Sequence, residues 1–162
     1  MDNNHEQLFN RLFTDTFTPL FRFANARLND AHRAEELVQD AFLIAVDKMD
    51  EVAASKNPEG WLMNTMKFLI LHENRLRSKG AAIIFEYEQV NDYELASKDE
   101  YIAETRSMFS DEEWWLLRVS CIEKLPVGII AKQMGLPYET CKKRVQKVKR
   151  IAAEKYDEYR KT

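Results

Sequence analysis

Apolar residues recur at every third or fourth position through nearly all of this 162-residue chain, the spacing that lines them along one face of an α-helix. Alternating β-branched runs, which a half-buried strand needs, are few. Gly and Pro number only 4 each, so the chain has few places to turn sharply. The expectation is an all-α fold. A content of 45% hydrophobic and 11% aromatic residues is ample for packed cores and excludes a disordered tail protein, and the length suits one ordinary domain or two small ones.

Residues 8–28 carry Leu8, Phe9, Leu12, Phe13, Phe17, Leu20, Phe21 and Ala24 at helical spacing, with Pro19 placed to bend or split the segment. A second helix is expected from about His32 to Met49, after the turn-like Asn29-Asp30 pair. A third opens at Asn57-Pro58, an N-cap followed by proline at the first helical position, and continues to about Ser78, where Lys79-Gly80 ends it. Residues 81–109 are acidic and lack a sustained amphipathic period; they read as a linker with a short helix from Tyr101 to Met108. Ser110-Asp111-Glu112-Glu113 is a capping box, so a helix starts there and continues through Trp114, Trp115, Leu117 and Ile122. Pro126 begins a short helix to Met134, Gly135-Leu136 makes a turn, and Pro137 begins a last helix that runs past Ala153. The expected organisation is two small helical domains, 1–80 and 110–162, joined by the acidic linker 81–109, with the C-terminal domain a helix-turn-helix.

The formal net charge of −3 argues at first against a nucleic-acid partner, because the phosphate backbone rewards Lys and Arg. Its distribution argues otherwise. Residues 1–60 hold 6 basic and 11 acidic side chains, 61–80 hold 4 and 1, 81–113 hold 2 and 10, and 114–162 hold 12 and 5. Two basic blocks separated by an acidic stretch suggest that different parts meet different partners. Cys121 and Cys141 cannot form a disulfide framework, and His5, His32 and His72 are scattered, with no zinc-ligand spacing. A reducing cytoplasm is the expected setting. No apolar run approaches the length of a membrane span, and MDNNHEQLFN has neither the basic nor the apolar part of a signal peptide. Neither an internal repeat, a phosphate-cradling Gly loop nor a nucleophile elbow is present. No catalytic, cofactor or metal site is expected.

Three constellations are candidates for function. On the last helix Cys141, Val145, Val148 and Ala152 fall within about 60° of one another as a buried seam. Its outward side collects Glu139, Lys143, Gln146, Lys147 and Arg150, flanked by Lys142, Arg144 and Lys149. As the second helix of a helix-turn-helix it would enter a major groove, early residues reading base edges and later Lys and Arg neutralising phosphates. The bland alternative is a solvated face, against which stand six basic residues to one acid between 138 and 150. Cys141 on the seam reads as a small core residue rather than a redox sensor.

On the third helix Leu62, Thr65, Met66, Leu69 and Leu76 make an inner stripe, while Trp61, Asn64, Phe68 and Arg75 share another face. Aromatic, amide and basic groups along one stripe suit an unpaired DNA strand, whose bases offer faces to stack on. Packing of Trp61 and Phe68 against the first two helices is an equally open reading. On the second helix Leu37, Val38, Ala41, Phe42, Ala45 and Met49 form the core stripe, and the opposite face shows Glu36, Gln39, Asp40, Leu43 and Asp47. A leucine among acids there points to a protein-binding patch, although single exposed leucines are common.

The segments RAEELVQDAFLIAVDKM (33–49), NPEGWLMNTMKFLILHENRLR (57–77) and LPVGIIAKQMGLPYETCKKRVQKVKRIA (125–152) resemble regions two and four of the extracytoplasmic-function sigma factors of bacterial RNA polymerase. The resemblance covers roughly residues 8–78 and 110–155. It implies that the 33–49 helix docks on the clamp coiled coil of the polymerase β′ subunit through Glu36, Gln39, Asp40 and Leu43. It implies that Trp61, Asn64, Lys67, Phe68 and Arg75 serve the melted minus-10 element. The minus-35 groove falls to Glu139, Thr140, Lys142, Lys143, Arg144 and Lys147, and the acidic 81–109 linker threads toward the polymerase active site and RNA exit path. Members of this family are commonly held inactive by an anti-sigma factor. The chain departs from the family pattern in having Met66-Lys67-Phe68 where Ala-Arg-Asn is usual, and in an Arg-rich helix end reduced to Arg75, Arg77 and Lys79. Pro126 and Pro137 stand at the usual Ser-type caps, and Lys124 stands at a frequent glycine site.

The function expected is therefore a dissociable, non-enzymatic promoter-specificity subunit that binds core polymerase and promoter DNA in the cytoplasm. The alternative is a helix-turn-helix transcription regulator that binds duplex DNA without polymerase.

Overall fold

The computed structural model describes residues 1–90 and 97–161. Among them are eight helices and no strand, and the chain divides into two compact units, Met1–Glu73 and Asn74–Thr162.

In the first unit α1 (Asn3–Leu28) begins at an N-cap, Asp2, whose carboxylate accepts the His5 N–H at 2.8 Å. Pro19 does not split it: α1 is a single helix across that position. Pro19 lies on the exposed side, where the carbonyl that loses its helical donor can turn to water instead. The helix stops at Asn29, which takes up the left-handed conformation (φ 52°) that asparagine tolerates better than most residues. Asp30 then caps α2 (Ala31–Asp47), accepting the Arg33 N–H at 3.1 Å. A short helix not expected from the sequence, α3 (Met49–Ala54), follows at once and buries Met49 and Val52. α4 (Pro58–Val90) opens as expected, with the Asn57 Oδ1 accepting the Gly60 N–H at 3.1 Å. The core joins Leu12, Leu20, Ala24 and Leu28 of α1 to Leu37, Val38, Ala41 and Phe42 of α2 and Leu62, Met66 and Ile70 of α4. Phe42 also packs against Phe9 and Phe13, with ring centroids 5.7 and 5.0 Å away.

The expected end of α4 at Lys79-Gly80 is not observed; the helix runs to Val90. Gly80 is there for packing and not for stopping. A Cβ at that position would meet the Cys121 Sγ at 2.5 Å and a Leu117 methyl at 3.1 Å, so only glycine allows so close an approach. Residues 81–90, assigned to the linker from sequence, are helical, and Ile83 and Ile84 are buried in the second unit's core with Leu116, Leu117, Ile130, Cys141, Val145 and Val148. Tyr87 meets Trp114 edge to face at 5.2 Å, and Glu88 pairs with Arg118. Residues 91–96 of the expected linker lie outside the described residues.

The rest of the second unit comprises α5 (Ser97–Ser107), α6 (Asp111–Cys121), α7 (Val127–Met134) and α8 (Tyr138–Lys161). The capping box at the start of α6 is complete: Glu113 N–H donates to Ser110 Oγ at 3.1 Å, and the Glu113 carboxylate accepts the Ser110 N–H at 2.9 Å. Arg106 fastens the turn before it, donating to the Phe109 carbonyl at 2.9 Å and lying over the Trp114 ring at 4.8 Å. Far along α8, the Tyr101 hydroxyl of α5 donates to the Lys155 carbonyl at 2.9 Å.

Lys124, between α6 and α7, has φ 55°. A side chain in that left-handed region costs about 1–2 kcal/mol, so Lys124→Gly is expected to raise the second unit's stability by up to about 1 kcal/mol once the extra freedom of the unfolded glycine is subtracted. Lys124→Ile should lower it. Thermal denaturation checks both signs; equal midpoints would show that the strain is absent.

Candidate functional site

In the first unit the site is the outer surface of α2 and the neighbouring stripe of α4. α2 buries Ala34, Leu37, Val38, Ala41, Phe42 and Ala45, and its 3.6-residue period therefore turns Gln39 and Leu43 to solvent. Leu43 is 65% exposed, and Val46, three residues on, is 38% exposed. Glu36 and Asp40 are half-buried, which sets them at the edge of the patch. Both lie in the field of Arg33, whose guanidinium pairs with Glu73 of α4 and stands 3.9 Å from Glu36. Burial alone would lower the Arg33 pKa; the hydrogen bond and charge of Glu73, with Glu36 and Asp40, outweigh it and hold the pKa above the ordinary arginine value. Val46 was missed by the sequence reading; its place at i+3 from Leu43 was the available signal.

The structure separates the two aromatic residues that sequence put on one stripe of α4. Trp61 is half-buried, packs on the first unit's core, and points its indole N–H toward Glu51 at 3.4 Å. Phe68 is 74% exposed. Asn64 and Lys67 are exposed on the same helix, and so is Leu71, 46% open and absent from the sequence expectation. Trp61 thus packs on the core, whereas Phe68 does not. Arg75 is exposed but lies past Glu73, in the second unit.

In the second unit α7, a turn at Gly135 (φ 66°) and α8 follow one another as expected from sequence. The seam of Cys141, Val145, Val148 and Ala152 is buried, and Glu139, Lys143, Gln146, Lys147 and Arg150 are all exposed. Thr140 is half-buried. Lys142 stands 3.1 Å from the Glu139 carboxylate. Arg144 is held on the side facing α6, its Nη1 donating to the Glu112 Oε1 at 3.1 Å. Beside that pair is a cavity of about 360 Å³ lined by Glu112, Glu113, Leu116, Arg144, Lys147 and Val148. The six side chains expected at a DNA groove are therefore not equally placed: Lys143 faces solvent, whereas Arg144 and Lys147 line a hollow with acids.

Among the described residues no group of three or more His, Cys, Asp or Glu could hold a metal ion. Cys121 and Cys141 are free and buried; burial pushes both thiols up, away from the reactive thiolate. The chemistry these surfaces offer is recognition by exposed apolar, aromatic and cationic groups.

Comparison with known proteins bears on both units. Residues 12–81 match the family described as Sigma-70 region 2. A protein of Haemophilus influenzae named "Probable RNA polymerase sigma factor" is 29% identical over 121 residues, 67% of this chain and 61% of the relative. The chain thus spans less than two thirds of the length of that curated relative. The residues matched to region 2 include the core of the first unit and its open Leu43 and Phe68. Residues 12–81 are thus similar to sigma-70 region 2, and the chain is similar over 121 residues to a relative named as a probable RNA polymerase sigma factor.

Proposed function

We propose that this chain is an RNA polymerase sigma factor of the extracytoplasmic-function type, which binds core polymerase and directs promoter-specific initiation. The observation that carries the proposal is the placement of Leu43 and Phe68. Inside the stretch that matches region 2, each is a large apolar side chain left more than half exposed, on a helix whose opposite side is core. Each has a second exposed apolar side chain three residues on, Val46 after Leu43 and Leu71 after Phe68, and apolar patches of this kind mark interaction sites where single exposed residues do not. In the proposed mechanism Leu43, with Gln39 and the acids Glu36 and Asp40, docks on the β′ clamp. Phe68 with Asn64 and Lys67 meets the unpaired minus-10 strand, where a ring offers a stacking face and Lys67 a charge for phosphate. The exposed cations of α8 take the minus-35 duplex. The protein does no bond chemistry; its contribution is affinity for polymerase and for one class of promoter. Its proposed place of action is the bacterial cytoplasm, with an anti-sigma factor as the partner that covers these surfaces at rest. No helix among the described residues is long and apolar enough to cross a membrane.

Reconstitution tests this. Added to sigma-free core polymerase with a promoter library, the protein is expected to yield promoter-dependent transcripts. Failure to bind core, together with tight sequence-specific duplex binding by the free chain, would replace the proposal with a polymerase-independent regulator.

Leu43→Asp is expected to weaken core binding at least tenfold, because covering a leucine contributes about 1.5–3 kcal/mol and a carboxylate would resist the same burial. The side chain is 65% exposed, so folding stability should change by no more than about 0.5 kcal/mol. Titration of labelled protein with core, beside a denaturation curve, reads both; unchanged affinity would remove Leu43 from the interface.

A further inference from the structure

Within the proposed DNA-binding surface of α8, Lys142 pairs with Glu139 of its own helix at 3.1 Å, whereas Arg144 is engaged by an acid of another helix. Arg144 donates to the Glu112 carboxylate at 3.1 Å, across from α8 to the first turn of α6. Glu112 is the acid free to do this. Its neighbour Glu113 is committed to the capping box, accepting the Ser110 N–H. The start of a helix favours negative charge, so a carboxylate at Glu112 is tolerated there whether or not Arg144 is present. Both side chains remain about half exposed, close enough to solvent for a phosphate to reach the guanidinium.

We propose that Glu112 is a built-in competitor for DNA: it occupies Arg144 and thereby weakens binding to duplex of any sequence, and only a backbone phosphate brought up by the other α8 contacts displaces it. This inference rests on the reading of α8 as a duplex-binding helix. A phosphate can win the exchange because it offers arginine two acceptor oxygens at once, whereas Glu112 engages it through one, and because binding releases counterions. The competitor raises the threshold for binding without blocking it.

The test is duplex binding by the full-length protein, followed by anisotropy of a labelled mixed-sequence duplex across a salt series. Glu112→Gln is expected to tighten binding about two- to fivefold, the worth of an exposed ion pair that no longer has to be broken, with the log–log salt slope unchanged because Arg144 meets a phosphate in both proteins. In an Arg144→Gln background Glu112→Gln should give no gain, and Glu123→Gln, which removes an exposed acid elsewhere in the unit, should leave the affinity unchanged. A gain that persists without Arg144 would overturn the inference in favour of general charge, and weaker binding by Glu112→Gln would overturn it by showing that the carboxylate positions Arg144 for DNA. Lys143→Glu separates the two levels. If it weakens binding while Glu112→Gln changes nothing, the competitor is wrong and the duplex-binding reading stands; if neither matters, that reading fails with it.

Discussion

Glu73→Leu is expected to destabilise the first unit by about 3 kcal/mol, the cost of stranding one member of a largely buried ion pair. Arg33 and Glu73 are only 14% and 13% exposed, and with Glu73 gone the guanidinium keeps the weaker field of Glu36, at 3.9 Å, and of Asp40. That distance is a charge contact, too long for a good hydrogen bond. The pair ties the first turn of α2 to α4 across 40 positions of sequence, so its loss should appear as faster amide exchange along α2 as well as a lower urea midpoint. The double variant Arg33→Met with Glu73→Leu removes both charges at once. It should recover most of the loss, because well-packed apolar replacements of a buried pair are often neutral or better. A single variant within about 0.5 kcal/mol of the parent would show that Arg33 reaches water freely. The consequence extends to function: Arg33 also holds Glu36 and Asp40 in its field, and these are the acids that flank Leu43 in the proposed polymerase-binding patch.

This pair was beyond the reach of sequence reasoning, because nothing local links residues 40 apart. Local signals succeeded where the physics is local. The capping box at Ser110, the N-cap at Asn57 and the buried seam of α8 each depend on residues within a few turns, and each is found where the pattern put it. The long course of α4 is not legible locally, because a Lys-Gly pair reads as punctuation. In fact Gly80, Ile83, Ile84 and Tyr87 repeat at the helical interval. The missing Cβ at the first of these is the space that Cys121 fills, so the residue that looks like a stop is the one that lets two helices meet. The acidic residues around it hid the pattern: Glu86 and Glu88 made the stretch look like a solvated linker, yet Glu88 is an ion-pair partner of Arg118. At the candidate surfaces helical spacing alone put Trp61 and Phe68 together, and it could not tell which of them the core would claim. Trp61 lies against the core at the start of α4, whereas Phe68 lies two turns on with nothing over it.

Reversing Lys143 and Lys147 together to Glu is expected to give the largest effect on the proposed DNA activity, a loss of duplex affinity on the order of 100-fold near 0.1 M salt, since two phosphate contacts become two repulsions. The salt slope should fall by about 1.8 if both side chains neutralise phosphates. Both residues are exposed and neither belongs to the buried seam, so the fold should be unaffected, which circular dichroism would verify. The two positions are not equivalent. Lys143 faces solvent, while Lys147 lines the hollow beside Glu112 and Arg144, so Lys143→Glu alone should account for the greater part of the loss. The pattern across sequences then separates two roles for α8. If these lysines serve the backbone, affinity for every duplex falls in parallel; if one reads a base edge, the loss concentrates on duplexes carrying the preferred base at a single position. An unaltered footprint of the polymerase complex over the minus-35 region would show instead that this face of α8 does not meet DNA, and would move the duplex contact to another surface of the second unit.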